Sequence, residues 1–105
     1  MSSKSPTQLS LEHLRMDGYH AEVVEKWNSF AKIRQDLWGF ADILAVKAGE
    51  VLAVQTTSAG NVAARVTKIA TSPLVGIVRE AGVRIVVHGW ARRGGEWRLR
   101  EVDCS

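Results

Sequence analysis

The sequence predicts an α/β fold, a mixed sheet flanked by helices and ending in a C-terminal β-hairpin, and a few features carry that expectation. Apolar runs flank the tight-turn sequence Lys47-Ala48-Gly49-Glu50, and a second pair flanks Gly94-Gly95, so each reads as a hairpin. Between them a helical stretch opens at Asn61 and stops at Gly82. A crossover of about twenty residues is what joins parallel strands of one sheet. The whole chain, residues 1–105, is read as one domain, because 105 residues that are 46% hydrophobic suffice for one modest core.

Residues 1–6 are polar and expected to be disordered. Thr7 is placed to cap a helix that turns Leu9, Leu11 and Leu14 inward, and Gly18 to end it in the left-handed conformation. Tyr19 to Trp27 alternates as a strand, with Ala21, Val23 and Trp27 on one face and His20, Glu22, Val24 and Lys26 on the other. Asn28 to Gln35 reads as an irregular connection carrying Lys32 and Arg34.

Residues 38 to 46 and 51 to 57 make the clearest hairpin. With Ala48 and Gly49 as its loop, Asp42 faces Gln55 and Phe40 faces Thr57. Asp42, Gln55 and Thr57 then share one side, while Ile43, Ala45, Leu52 and Val54 share the other. A slip of one residue would undo this alignment. After Ser58-Ala59-Gly60, Asn61 caps a helix with Val62, Val66 and Ile69 on one face and Arg65 and Lys68 on another. Ser72-Pro73 starts a further helix whose apolar side is Leu74, Ile77 and Val78. Val83 to Arg92 and Glu96 to Val102 form the last hairpin, setting Trp90 opposite Leu99 and His88 opposite Glu101.

The formal net charge of +3 is unevenly spread: from Val83 to Arg100, Arg84, Arg92, Arg93, Arg98 and Arg100 stand against only Glu96. Such a patch suits an anionic partner, phosphate backbones being the commonest, and equally suits a solvated edge hairpin. Cys104 is the only cysteine, which removes any disulfide within the chain and any cysteine metal cluster. No apolar run approaches the roughly 18 residues of a membrane span. The opening Met-Ser-Ser-Lys-Ser-Pro-Thr-Gln also lacks the apolar stretch of a secretory signal. The expectation is a cytoplasmic protein with no membrane partner. No glycine-rich phosphate loop and no serine in a nucleophile context stands out.

Asp42 interrupts an apolar run, and burying an ionised carboxylate without a partner costs several kcal/mol. Either Arg34, Arg65 or backbone amides satisfy it, or it belongs to a functional site. The carboxylate of Asp42, the amide oxygen of Gln55 and the carbonyl after it are hard oxygen donors of the kind Mg²⁺ takes.

The order of elements and the residues Asp42 and Gln55-Thr56-Thr57 resemble the PD-(D/E)XK nuclease superfamily, the restriction-endonuclease-like fold of Holliday-junction resolvases and VRR-NUC domains. The resemblance spans roughly Thr7 to Val102 and implies an αβββαβ core with the C-terminal hairpin added. In that family an Asp on the second strand and a Glu-x-Lys on the third hold the metal and orient the attacking water. Asp42 matches the Asp, and Gln55-Thr56-Thr57 stands where Glu-x-Lys belongs, so the motif is degenerate.

The catalytic set implied by the resemblance is Asp42, Gln55, Thr57 and Lys68, with Lys68 reaching in from the following helix to supply the charge a threonine hydroxyl lacks. The implied ligands of Mg²⁺ or Mn²⁺ are Asp42, Gln55 and, from the first helix, Glu12, which reads as readily as a surface residue. Nucleic-acid contacts are expected at Arg34, Arg65, Lys68, Arg92 and Arg93, and Trp38 either stacks on an unpaired base or packs in the core. The resulting expectation is a DNA-binding, metal-dependent endonuclease-like domain acting as a homodimer, for which a phage or bacterial origin would suit so compact a chain. The alternatives are a catalytically inactive nucleic-acid-binding or protein-interaction module of the same fold and an assembly subunit that uses its sheet edge.

Overall fold

Ser5 opens the first helix. In the computed structural model, which describes residues 4–105, the Ser5 hydroxyl accepts from the backbone N–H of Gln8 at 3.2 Å, and the Gln8 side chain accepts from the backbone N–H of Ser5 at 3.0 Å. This reciprocal cap, with proline next in line, fixes the start of α1 (Pro6–Met16). The expected cap at Thr7 is therefore corrected: its hydroxyl meets that of Thr56 at 2.9 Å and ties α1 to the sheet. Of the opening segment expected to be disordered, Ser5 and Pro6 belong to the helix start, and residues 1–3 lie outside the described residues.

The chain continues through β1 (His20–Val23), β2 (Lys26–Asn28), β3 (Ile33–Gln35), β4 (Ile43–Lys47) and β5 (Glu50–Ser58). A 3₁₀ turn (Ala59–Asn61), α2 (Val62–Ala70) and α3 (Val75–Glu80) cross over to β6 (Arg84–Arg93) and β7 (Glu96–Asp103). A five-stranded sheet runs in the order β1-β4-β5-β6-β7. The β5–β6 pair, joined by the helical crossover, is parallel, and the remaining pairs are antiparallel. This is the mixed α/β sheet that the sequence predicts. Leu14 of α1 packs with Ile43, Ala45, Leu52, Val54 and Val86, while α2 and α3 bury Val62, Ile69, Val75 and Val78 against Ala53, Ile85 and Val87. Among the described residues no helix is long and apolar enough to cross a membrane.

Both hairpin registers agree with the sequence reading. Ile43 pairs with Val54 and Lys47 with Glu50 around Ala48-Gly49; His88 pairs with Glu101 and Trp90 with Leu99 around Gly94-Gly95. The elements before Asp42 differ. The strand expected over Tyr19 to Trp27 is broken after Val23, and Asn28 to Gln35 is no irregular connection. The Asn28 side chain accepts from the N–H groups of Phe30 and Ala31, both at 3.0 Å, which turns the chain so that β3 pairs back on β2 as a separate two-stranded ribbon.

Residues 38 to 42 are likewise a turn rather than strand. Leu37 bridges Ala41, Trp38 and Gly39 take φ of 59° and 82°, and Phe40 drops fully into the core instead of continuing the ladder opposite Thr57. In α3 the buried residues are Val75 and Val78, with Leu74 and Ile77 exposed, because Pro73 stays in the preceding turn and shifts the helical phase.

Gly89 marks a close contact between sheet and crossover: a Cβ there would overlap Val62 Cγ2 and lie 3.2 Å from Ala59 Cα. A side chain there displaces Val62 and crowds the Ala59 backbone. Gly89→Ala is expected to destabilise the fold by about 2 kcal/mol or more, read as a lowered midpoint in urea unfolding; an unchanged midpoint would contradict the contact.

Candidate functional site

Asp42 sits at the entrance to β4, in a bend that the β4–β5 register sets directly beside Gln55 and Thr56. Its backbone N–H donates to the Val54 carbonyl at 2.9 Å. Its Oδ2 accepts from Gln55 Nε2 at 2.6 Å, from the Thr56 backbone N–H at 2.8 Å and from the Thr56 hydroxyl at 3.2 Å. The side chain is only 3% exposed. Neither Arg34 nor Arg65 satisfies it; neutral donors do.

Two further acids join it, and neither was singled out from the sequence. Glu25, between β1 and β2, and Asp36, directly after β3, each bring a carboxylate oxygen such that these and the Asp42 oxygen all lie within 4.8 Å of one another. The turn from Leu37 to Ala41 folds Asp36 back on Asp42, and the turn of the ribbon at Asn28 returns Arg34 to Glu25, with Arg34 donating to Glu25 at 3.0 Å. Gly39, within a run read as strand, was the available signal for the first of these folds, since glycine is the residue that accepts the left-handed conformation it takes here.

These acids open onto a cavity of about 540 Å³ that cations also line. Arg65 and Lys68 reach it from the polar face of α2, Arg34 from β3, and Gln55 and Thr57 from β5. Lys68 Nζ pairs with Asp36 Oδ2 at 2.5 Å. Thus Asp42, Gln55, Thr57, Lys68, Arg34 and Arg65 are brought together as expected. Glu12 is not: it pairs with Lys4 on the exposed face of α1 at 2.9 Å, so the acid expected from the first helix comes instead from Glu25 and Asp36. Arg92 and Arg93 lie at the far end of β6, where Arg92 stacks over Trp97 at 5.5 Å, and neither lines the cavity. Trp38 packs beside Phe40 as part of the core boundary.

Burial, with the neighbouring Asp36 and Glu25 carboxylates adding to it against the opposing Thr56 N–H, pushes Asp42 up to about 8. Burial alone would also raise Asp36, but hydrogen bonds from Asp42 and Lys68 and the charges of Lys68 and Arg65 hold it below the ordinary carboxylate value. The pair therefore divides its charge: Asp36 ionised against Lys68, Asp42 holding the proton. One atom is left over. Gln55 Oε1 is buried within a residue only 2% exposed and has no hydrogen-bond partner among the described residues. Carboxylate oxygens beside a free amide oxygen, with no histidine or cysteine among the cavity residues, form a hard donor set that suits Mg²⁺ or Mn²⁺ rather than zinc or copper.

A different cluster has the outline of a hydrolase triad. His88 Nε2 meets Glu101 at 2.9 Å and Nδ1 meets Ser10 at 2.9 Å, but Ser10 and His88 are fully buried, and Ser10 also accepts from Trp90 Nε1 at 2.8 Å. Since Glu101 is an acceptor, the His88 proton resides on Nε2, so Ser10 donates to Nδ1 and every group is satisfied. With Ser10 and His88 buried and only the Glu101 carboxylate reaching solvent, the network anchors α1 to β6. Compared with known protein families, curated proteins and solved structures, the chain matches none.

With metal withheld by a chelator, the folded state holds a proton on Asp42 that the unfolded chain releases above about pH 4. The stability this contributes is full below the unfolded value and is lost as pH rises through about 8. The melting temperature is accordingly expected to fall between about pH 5 and about pH 8 and to flatten in Asp42→Asn; a melting temperature that rises through that window would contradict the assignment.

Proposed function

We propose that this chain is a nucleic-acid-binding domain of PD-(D/E)XK nuclease type that hydrolyses phosphodiesters, most readily of DNA, with Mg²⁺ or Mn²⁺. The observation that carries this reading is the meeting of Glu25, Asp36 and Asp42, with Gln55 hydrogen-bonded to Asp42 and its own Oε1 unpaired, in a cavity also lined by Arg34, Arg65 and Lys68. Hard oxygen donors facing fixed cations suit a substrate that is itself a phosphate diester.

Glu25, Asp36, Asp42 and Gln55 would hold the cation, which when bound supplies Lewis acidity and a water of lowered pKa. The protein's own groups have distinct tasks. Thr56 and Gln55 keep the Asp42 carboxyl from rotating, through the bonds to its Oδ2. Asp36 holds the Lys68 ammonium at the cavity wall, and Lys68 and Arg65 set positive charge against the phosphate where Thr57 offers none. Lys68 takes the place of the motif lysine in charge though not in sequence.

The test is nicking of supercoiled DNA with Mn²⁺ together with the change in melting temperature on adding Mn²⁺. Wild type is expected to nick and to gain several degrees. Asp42→Ala and Glu25→Gln should lose nicking by about 100-fold or more and lose the thermal gain, while Glu12→Gln keeps both. Absence of both the nicking and the thermal gain in wild type would overturn the metal site. A second reading, binding without cleavage, is favoured by one observation: Lys68 is already committed to Asp36 and Thr57 is uncharged. It predicts salt-dependent DNA affinity that survives Asp42→Ala, with no nicking.

A further inference from the structure

We propose that Trp27, on the β2–β3 ribbon, is a stacking platform for an unpaired base next to the phosphodiester in the carboxylate cavity, so that the domain acts on single-stranded or locally unpaired nucleic acid. The inference rests on the nuclease reading above and adds the substrate form to it.

Trp27 is 62% exposed, against the usual fate of an indole, and Phe30 at the ribbon tip is 100% exposed. The ribbon is not a loose loop: Asn28 fixes its turn, and Trp27 pairs directly opposite Arg34. Opposed residues share a face. Arg34 lines the cavity and donates to Glu25, so Trp27 lies on the face of the ribbon that continues outward from the carboxylates. Glu25 and Trp27 are separated by two steps of extended chain, about 7 Å, which is within one nucleotide of an extended strand.

Charge selects the occupant. From Lys26 to Gln35 the ribbon carries Lys26, Lys32 and Arg34 and no acid, a composition that repels a second copy of itself and attracts a polyanion. Aromatic rings interleaved with cations are what single-stranded binding surfaces use, since every base offers a π-face and every linkage a charge. A paired duplex hides its bases and could use only the cations.

The test measures binding of a labelled single-stranded DNA oligonucleotide and its matched duplex by fluorescence anisotropy, with Ca²⁺ in place of Mg²⁺. Wild type is expected to prefer the single strand. Trp27→Ala should weaken that complex by about 5- to 100-fold, and Trp27→Phe by only about 3-fold or less. Abasic sites scanned along the oligonucleotide should reveal one position where removing the base costs wild type a similar factor and costs Trp27→Ala nothing more. If the single strand binds wild type but Trp27→Ala weakens it and the duplex equally, or no abasic position couples to Trp27, the stacking role is overturned while the nuclease reading stands. If neither form of DNA binds wild type at low salt, both fall. A wild-type dimer that the Trp27→Ala, Phe30→Ala double variant converts to monomer in sedimentation would make the ribbon a self-association surface and overturn the proposal.

Discussion

The three hydrogen bonds that converge on one oxygen of Asp42 are the constraint on which the rest of the site depends. They exist because the β4–β5 register sets Asp42 beside Gln55 and Thr56, and that register is itself fixed by the tight turn at Ala48-Gly49. With Oδ2 occupied, the carboxyl has one free oxygen, and the turn at Leu37 to Ala41 brings Asp36 against it. Slipping the hairpin by one residue would point Asp42 into the apolar layer beneath Leu14 and turn Ile43 out of it. The acids would then have no common centre.

The electrostatics follow from which acids have cations. Glu25 is paired with Arg34 and Asp36 with Lys68, while Asp42 is held by an amide, a backbone N–H and a hydroxyl. Neutral donors offset only part of the cost of burying the charge, and the Asp36 and Glu25 carboxylates add to it, so the proton stays on Asp42 in the metal-free protein. A proton and a divalent cation are alternative answers to the same crowding of negative charge. A proton shared between Asp42 and Asp36 leaves the buried Gln55 Oε1 without a partner, and a cation within its reach would take it up.

What the sequence made legible were the parts governed by local rules. Turn residues at Ala48-Gly49 and Gly94-Gly95 set both registers, and with them the partnerships of Asp42 with Gln55 and of His88 with Glu101. Helical periodicity separated Arg65 and Lys68 from Val62 and Ile69, which is why Lys68 was found as a cavity cation. Glu25 and Asp36 escape sequence reasoning because they lie at the ends of three- and four-residue strands, too short to show a period, and because the Asn28 turn has no apolar pattern around it to mark a hairpin. Glu12 was over-read for the opposite reason. An acid on an amphipathic helix has a strong local context, but its exposed face gives it Lys4 rather than the cavity.

The helix that delivers Lys68 is positioned by a residue with no chemistry of its own. Gly89 pairs with Thr57 across the parallel strands, and the missing side chain lets Ala59 and Val62 settle onto β6 at the C-terminal end of β5. Ligands in open α/β sheets gather at that end, where a strand gives way to its crossover. From this anchor α2 turns Val62 and Ile69 into the core, and its 3.6-residue period then leaves Arg65 and Lys68 facing the cavity. A larger residue at Gly89 would push the start of α2 outward and carry the cations with it, since a helix moves as a unit. Packing at Gly89 and charge at Lys68 are therefore one constraint seen from two sides: the closeness of the crossover to β6 determines the distance between the ammonium and the acids it faces.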